Sequence, residues 1–252
     1  MSILLSLLIL IITVNGEIEI QRKLFQAQQA TIGQFPYVVA LKMIIGAHFC
    51  TGSIIGEQWI LTAAHCLNVI PPENFTVIAG TIRLTRKKME GYAVDNVVVN
   101  PGYIRDEEQG NIGDIGLVKI KEKFHFSKLV EPIQLGLLHD SGSMIAVGWG
   151  RVSRTSRSPV LRYVEMVNVQ NSPVCVNDEF RICAKSVTGR SAAVLCSGDS
   201  GGPLVDTTTG KLVGVNSVSW AQCEGGPHPD GFIRMEAHDT WIKSYVKDAV
   251  FE

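Results

Sequence analysis

This chain has no excess of charge of either sign. Its 23 Lys and Arg stand against 24 Asp and Glu, a formal net charge of −1 over 252 residues. Nucleic-acid binding leaves a basic footprint, and with none present that class of partner is not expected. No repeat at solenoid spacing occurs. No Cys-x-x-Cys pair of the kind that opens a zinc site occurs, and no clear pair of acidic residues sits at calcium-loop spacing between Leu67 and Glu90. No metal or cofactor is therefore expected. Long apolar runs are also missing, with one exception from Ile3 to Val14, closed by Asn15-Gly16. At about a dozen residues it is too short to span a bilayer. It reads as a signal peptide over residues 1–16, although its first residues carry no positive charge. The mature protein is then expected to be secreted, extracellular and free of membrane.

What is present suits a compact β protein. Hydrophobic residues make up 46% and charged residues 19%, which fits a packed core and not disorder. Short β-branched segments, such as Tyr37 to Leu41 and Ala93 to Val99, are separated by Gly, Pro, Asn or Asp, the pattern of strands and turns. One good helical pattern runs from His238 to Val250, with Trp241, Ile242, Tyr245 and Val246 on one face. In an oxidising compartment the six cysteines favour disulfides, though the count alone leaves the pairing open. Asn74-Phe75-Thr76 is a glycosylation sequon after Pro71-Pro72. Two basic runs, Arg83 with Arg86, Lys87 and Lys88, and Arg151 with Arg154 and Arg157, read as solvated loop faces.

The chemistry concentrates in three segments. Gly198-Asp199-Ser200-Gly201-Gly202-Pro203 places a serine between glycines, where a tight turn can expose its hydroxyl and surround it with backbone N–H groups. Ala63-Ala64-His65-Cys66 lies far upstream, and Asp114-Ile115-Gly116-Leu117-Val118 lies between. Each alone has an ordinary reading: a structural histidine, a turn aspartate, a loop serine. Together they supply a nucleophile, a base and an orienting carboxylate. Gly198-x-Ser200-x-Gly202 also fits the nucleophile elbow of α/β-hydrolases, but that fold needs its acid and histidine after the serine, and no alternating strand–helix pattern precedes Ser200.

In these segments the chain resembles the chymotrypsin-like serine proteases. Gln34-Phe35-Pro36-Tyr37, Cys50 to Ile55, Gly148-Trp149-Gly150, Ser219-Trp220 and Trp241-Ile242 add to the likeness, which covers nearly the whole chain. The resemblance implies an all-β fold of two antiparallel six-stranded β-barrels, with the active site between them and a C-terminal α-helix. It implies His65, Asp114 and Ser200 as catalytic triad, the N–H groups of Gly198 and Ser200 as oxyanion hole, and disulfides Cys50–Cys66, Cys175–Cys183 and Cys196–Cys223. It also implies a zymogen, with an activation peptide over 17–23 and a protease domain over 24–252. Cleavage after Lys23 would free Leu24, whose ammonium would pair with Asp199. Here Gln26 and Ala27 replace the two glycines usual in that start.

By the same likeness the substrate pocket is lined by Val194, Leu195, Ser219, Trp220, Ala221 and Gly231. Val194 at the floor would leave a bound Lys or Arg unpaired, and Leu195 should narrow the pocket, so small to medium apolar side chains are expected. The implied partners are protein or peptide substrates, an activating protease and protein inhibitors, with the enzyme a monomer. The alternative class is a non-catalytic or weakly active homologue that acts as a binding or regulatory protein.

Overall fold

The computed structural model describes residues 27–85, 87–106, 111–139, 142–151, 156–172, 175, 179–187, 195–219 and 228–251. Within them the chain is built almost wholly of antiparallel strands. The first barrel comprises β2 (Val38–Met43), β3 (His48–Ile54), β4 (Trp59–Thr62), β5 (Phe75–Ile78), β6 (Tyr92–Val99) and β7 (Gly116–Ile120), closed in the order β2-β3-β4-β7-β6-β5. The second comprises β8 (Ser143–Gly148), β9 (Arg162–Asn168), β10 (Arg181–Ser186), β11 (Pro203–Asp206), β12 (Leu212–Ser219) and β13 (Asp230–Arg234). Pairing of β8 with β9 closes this ring, and the short β1 (Gln28–Gln29) adds to β9 from outside. Closure removes the unpaired edges that an open sheet would expose.

The strand segments expected from β-branched patterning are the barrel staves. Val38 to Leu41 lies in β2 and is buried throughout, on both faces of the strand. One face fills the first barrel with Val39 and Leu41, and the other meets the second barrel with Val38 and Ala40. Leu41, Ile60, Leu61, Leu117 and Ile120 are fully buried in the first core. Met144, Ile182, Leu204 and Phe232 hold the second. Each such side chain contributes about 1.5–3 kcal/mol by leaving water.

Among the described residues two short α-helices complete the fold, α1 (Ala64–Leu67) and α2 (Asp239–Tyr245). The helical pattern expected over His238 to Val250 is thus shorter than expected. A 3-10 turn over Glu236–His238 leads into it, and Val246 leaves helical geometry at φ −109°, ψ 91°. Beyond that point the chain turns at Lys247-Asp248 and runs on to Phe251, which bridges Leu135. The apolar face still works as expected: Ile242 and Val246 are buried in the first-barrel cluster, so the C-terminus clamps one barrel against the other.

Candidate active site

The histidine segment follows directly from β4. Ala63 is extended and Ala64 to Leu67 make one turn, with Ala64, Cys66 and Leu67 buried and His65 facing outward. Two small alanines let this turn sit against β7, where a Cβ added at Gly116 would meet Leu67. The Cys50–Cys66 disulfide ties the turn to β3. Cys50, His65 and Cys66 lie close enough to suggest metal ligands, but the two sulfurs are bonded to each other and offer no thiolate.

Asp114 stands at the entry to β7 and is fully buried. His65 donates to it twice, from its backbone N–H to Oδ1 at 2.8 Å and through Nδ1 to Oδ2 at 2.7 Å. The Ser217 hydroxyl donates to Oδ2 at 2.6 Å and the Asn111 amide at 3.2 Å. Burial alone would raise this carboxyl. The His65 hydrogen bonds and charge, then the Ser217 hydroxyl, outweigh it and hold the group below the ordinary carboxylate range. A carboxylate fixed on Nδ1 leaves Nε2 as the nitrogen free to take a proton.

Ser200 sits on the turn before β11, held by both barrels. Thr51 of β3 donates its N–H to the Ser200 carbonyl at 2.9 Å and its hydroxyl to the Gly198 carbonyl at 2.8 Å. Gly201 donates to Asn216 of β12 at 2.8 Å. The glycines here are steric requirements. Gly198 has φ +106° and Gly201 φ +78°, left-handed conformations that side chains resist. A Cβ at Gly201 would also run into the Thr51 carbonyl and the Thr62 hydroxyl of the first barrel. Among the described residues no backbone carbonyl accepts the N–H of Gly198 or Ser200, so both donors are available to an oxyanion. No hydrogen bond joins Ser200 Oγ to His65 Nε2, which lies 3.8 Å from Cys66 Sγ. In resting enzymes such contacts are often loose and tighten with substrate.

Asp199 points inward. Its carboxylate accepts from the Gly150 N–H at 2.7 Å and the Cys196 N–H at 3.0 Å. Side chains at Gly148 or Gly150 would collide with it, which explains the Gly-Trp-Gly segment. Burial pushes the Asp199 carboxyl up to about 6, against those two N–H groups and the Arg157 charge.

The pocket residues divide. Val194, Trp220 and Ala221 lie outside the described residues, as do Lys23 and Leu24. Leu195 does not narrow a pocket: it is buried in the second-barrel core with Met144, Ile182 and Phe232, so its bulk fills the barrel. Ser219 lies on β12 and Gly231 on β13, and between them stands a residue the sequence reading overlooked. Asp230 pairs in register with Ser219. It is buried, and its Oδ1 has no hydrogen-bond partner. Burial pushes it up to about 7. The Ser219 hydroxyl and Leu195 N–H oppose that rise, and the Asp199 charge adds to it.

Ser217 was overlooked for a different reason. Asn216 pairs with Phe232 and Val218 with Gly231, so β12 has one residue more than β13 at this point. Ser217 is that bulged residue, and the bulge aims its hydroxyl at Asp114. The expected disulfides Cys50–Cys66 and Cys175–Cys183 are formed. The third expected pair includes Cys223, outside the described residues, and Cys196 is not a free thiol. Asn74 is exposed at the end of the 3-10 turn Pro72–Asn74.

The sequence profile of the family described as Trypsin matches residues 24–242. Among solved structures, the chain is similar to neuropsin, a serine protease expressed in the limbic system of mouse brain. The identity is 27% and the TM-score 0.74, over 86% of this chain and 97% of that one.

Proposed function

The chain belongs to the trypsin family of serine-type endopeptidases, and on that footing we propose that it is secreted as a zymogen and cleaves peptide bonds through Ser200, His65 and Asp114. The observation that carries this reading is the convergence on Asp114: four hydrogen bonds from the histidine turn, a bulge on the other barrel and a nearby loop fix one buried carboxylate against His65 Nδ1. In the proposed reaction Ser200 Oγ attacks the peptide carbonyl while His65 Nε2 takes its proton. Asp114 stabilises the imidazolium without itself accepting the proton. The Gly198 and Ser200 N–H groups receive the oxyanion, and loss of one such donor costs roughly 10²–10³ in rate. His65 then gives its proton to the leaving amine, and water releases the acyl group from Ser200.

The zymogen reading places a signal peptide over 1–16, an activation peptide over 17–23 and the enzyme over 24–252. Its physical support is Asp199. A buried carboxylate raised to about 6 gains more from an ammonium beside it than an exposed one would. That is the role proposed for Leu24 after cleavage following Lys23 by an activating protease. Secretion agrees with the two formed disulfides and the exposed sequon at Asn74. Among the described residues no helix is long and apolar enough to cross a membrane.

For the pocket, the resemblance that puts an apolar residue, Val194, at the floor supports cleavage after small to medium apolar side chains. One observation favours a second reading: Asp230, with a bare oxygen beside Ser219, offers a carboxylate to a basic side chain. The two separate by pH. If Asp230 sets the preference, cleavage after Arg relative to Leu rises from pH 6 to 8 as Asp230 ionises, and Asp230→Asn abolishes the rise. If Val194 sets it, the ratio stays low and flat.

The central test is labelling with a serine-reactive phosphonate before and after limited cleavage at Lys23. Labelling that appears only after cleavage and disappears in Ser200→Ala is the expected result. Verified cleavage without labelling would move the protein to the binding-protein class.

A further inference from the structure

Arg181 interrupts an otherwise apolar stretch, Phe180 to Ala184. It opens β10 and is 3% exposed. A guanidinium keeps its charge at any ordinary pH. A charge taken out of water is costly unless fixed oxygen acceptors receive its N–H groups. An apolar side chain at this place in the barrel would serve folding at least as well. What Arg181 holds belongs to the other barrel: its Nη2 donates to the Asn111 carbonyl at 2.9 Å, across 70 residues of chain. Asn111 lies in the loop between β6 and β7.

Both ends of this connection are stiff. On the barrel side, Arg181 pairs in register with Ile233 of β13, and Cys183, two residues further along β10, is bonded to Cys175. On the loop side, Ile104 and Ile112 exchange N–H···O bonds of 3.0 and 2.9 Å, and the Asn100 amide donates to the Gly113 carbonyl at 3.0 Å. Those bonds fix the residues that follow Asn111. The carbonyl of Asn111 itself is the group that Arg181 takes, and a hydrogen bond from a cation is stronger than one between neutral groups.

The other end of Asn111 meets the triad. Asp114 Oδ2 receives His65 Nδ1 at 2.7 Å, the Ser217 hydroxyl at 2.6 Å and the Asn111 amide at 3.2 Å. The first two hold the carboxyl low. The third is the longest, and its contribution is direction. Three donors around one oxygen oppose rotation of the carboxylate about its Cβ–Cγ bond and keep it in line with the imidazole. We propose that Arg181 is a positioning residue for the triad. By holding the Asn111 carbonyl it keeps the Asn111 amide on Asp114 Oδ2, and so keeps the His65 ring at the angle from which Nε2 takes the Ser200 proton. The inference rests on the endopeptidase reading above. It gives the second barrel a second side chain, beside Ser217, that governs a carboxylate standing on the first.

The test uses the full chain after cleavage following Lys23 and single-residue chromogenic amide substrates. Active sites are titrated with the serine-reactive phosphonate, so that any misfolded fraction drops out. Wild type, Arg181→Met, Asn111→Ala and the double variant are compared. Asn111→Ala keeps the carbonyl that Arg181 holds and removes only the amide. The expected result is a fall of about fivefold in kcat in each single variant, the size of one lost hydrogen bond, with KM unchanged. The double variant should be no slower than either single one, because both changes break the same connection. A purely structural role for Arg181 would lower thermal stability and leave this cycle flat. An unchanged kcat in Asn111→Ala, losses that multiply in the double variant, or a change confined to KM overturns the proposal while hydrolysis itself leaves the endopeptidase reading standing. The Asn111→Ala result decides even if Arg181→Met does not fold. If no substrate is cleaved and the phosphonate does not label Ser200, the endopeptidase reading has failed. Proton NMR of the His65 Nδ1–H then decides the positioning role: the same displacement in Arg181→Met and Asn111→Ala supports it, and an unmoved signal in either overturns it.

Discussion

Asp114 at the edge of the first barrel and Asp230 on the second are both sealed from solvent, at 0% and 4% exposure, yet they are displaced in opposite directions. Asp114 is held below the usual carboxylate range and Asp230 is pushed up to about 7. Depth of burial cannot be the cause, since burial raises both. The difference lies in the donors. Asp114 collects two bonds from His65 and one each from Ser217 and Asn111, whereas Asp230 keeps an oxygen without a partner. The general lesson is that a buried acid takes its state from the N–H and O–H groups aimed at it. Donors from both barrels converge on Asp114 and hold it ionised. Asp230, on the second barrel, is left able to change state near neutral pH.

The sharpest way to break this comparison is to remove the charge that the donors around Asp114 protect. Asp114→Asn is expected to lower kcat/KM by about 10⁴, the size known for loss of the orienting carboxylate in the serine-protease triad, because the amide favours the wrong tautomer of the histidine. Steady-state kinetics on a protein with an unchanged circular-dichroism spectrum would show it. The matching change on the second barrel acts on stability. An acid whose folded pKa is raised binds its proton more tightly when folded, so stability declines as pH rises from about 4 to about 7 and then levels. Asp230→Asn should flatten that decline and stabilise the protein at pH 8 by up to about 4 kcal/mol. Denaturant melts across this pH range would measure it. Asp114 has the opposite sign: its contribution is present above about pH 4 and is lost as pH falls through its lower folded value.

A third change tests whether the two regions share one frame. Gly201→Ala puts a side chain at φ +78° and into the Thr51 carbonyl, so a loss of about 3 kcal/mol or more is expected in thermal unfolding. The smallest expected effect is the most specific. Ser217→Ala removes one of the donors to Asp114 and should cost about tenfold in kcat/KM, near 1.4 kcal/mol. The Asp114 carboxyl should titrate at higher pH, which carbon NMR would detect. An unmoved Asp114 titration would show that the remaining donors alone set its state.

Much of this site was legible before any coordinates. The glycine-flanked serine, the histidine after two alanines and the aspartate before an apolar run specify chemistry by residue type and order, and β-branched segments between turn residues specify staves. Ser217 was not legible, because a bulge in β12 aims it, and a bulge depends on how two strands pair. Leu195 looked like a pocket residue because the family resemblance puts the pocket floor beside it, but its side chain turns into the second core. Asp230 stands between Pro229 and Gly231, residue types that also favour turns, and only pairing with Ser219 places it inside.

The sequence by itself determined which functional groups the protein owns, which segments extend, and where glycine must stand, since these follow from local sterics and residue chemistry. The tertiary structure decided which carboxylate is held ionised and which serine supports it. Those outcomes depend on burial and on donors brought from strands far apart in the chain, such as Ser217 and Asp114, separated by 103 residues, and local sequence carries no record of that distance in space.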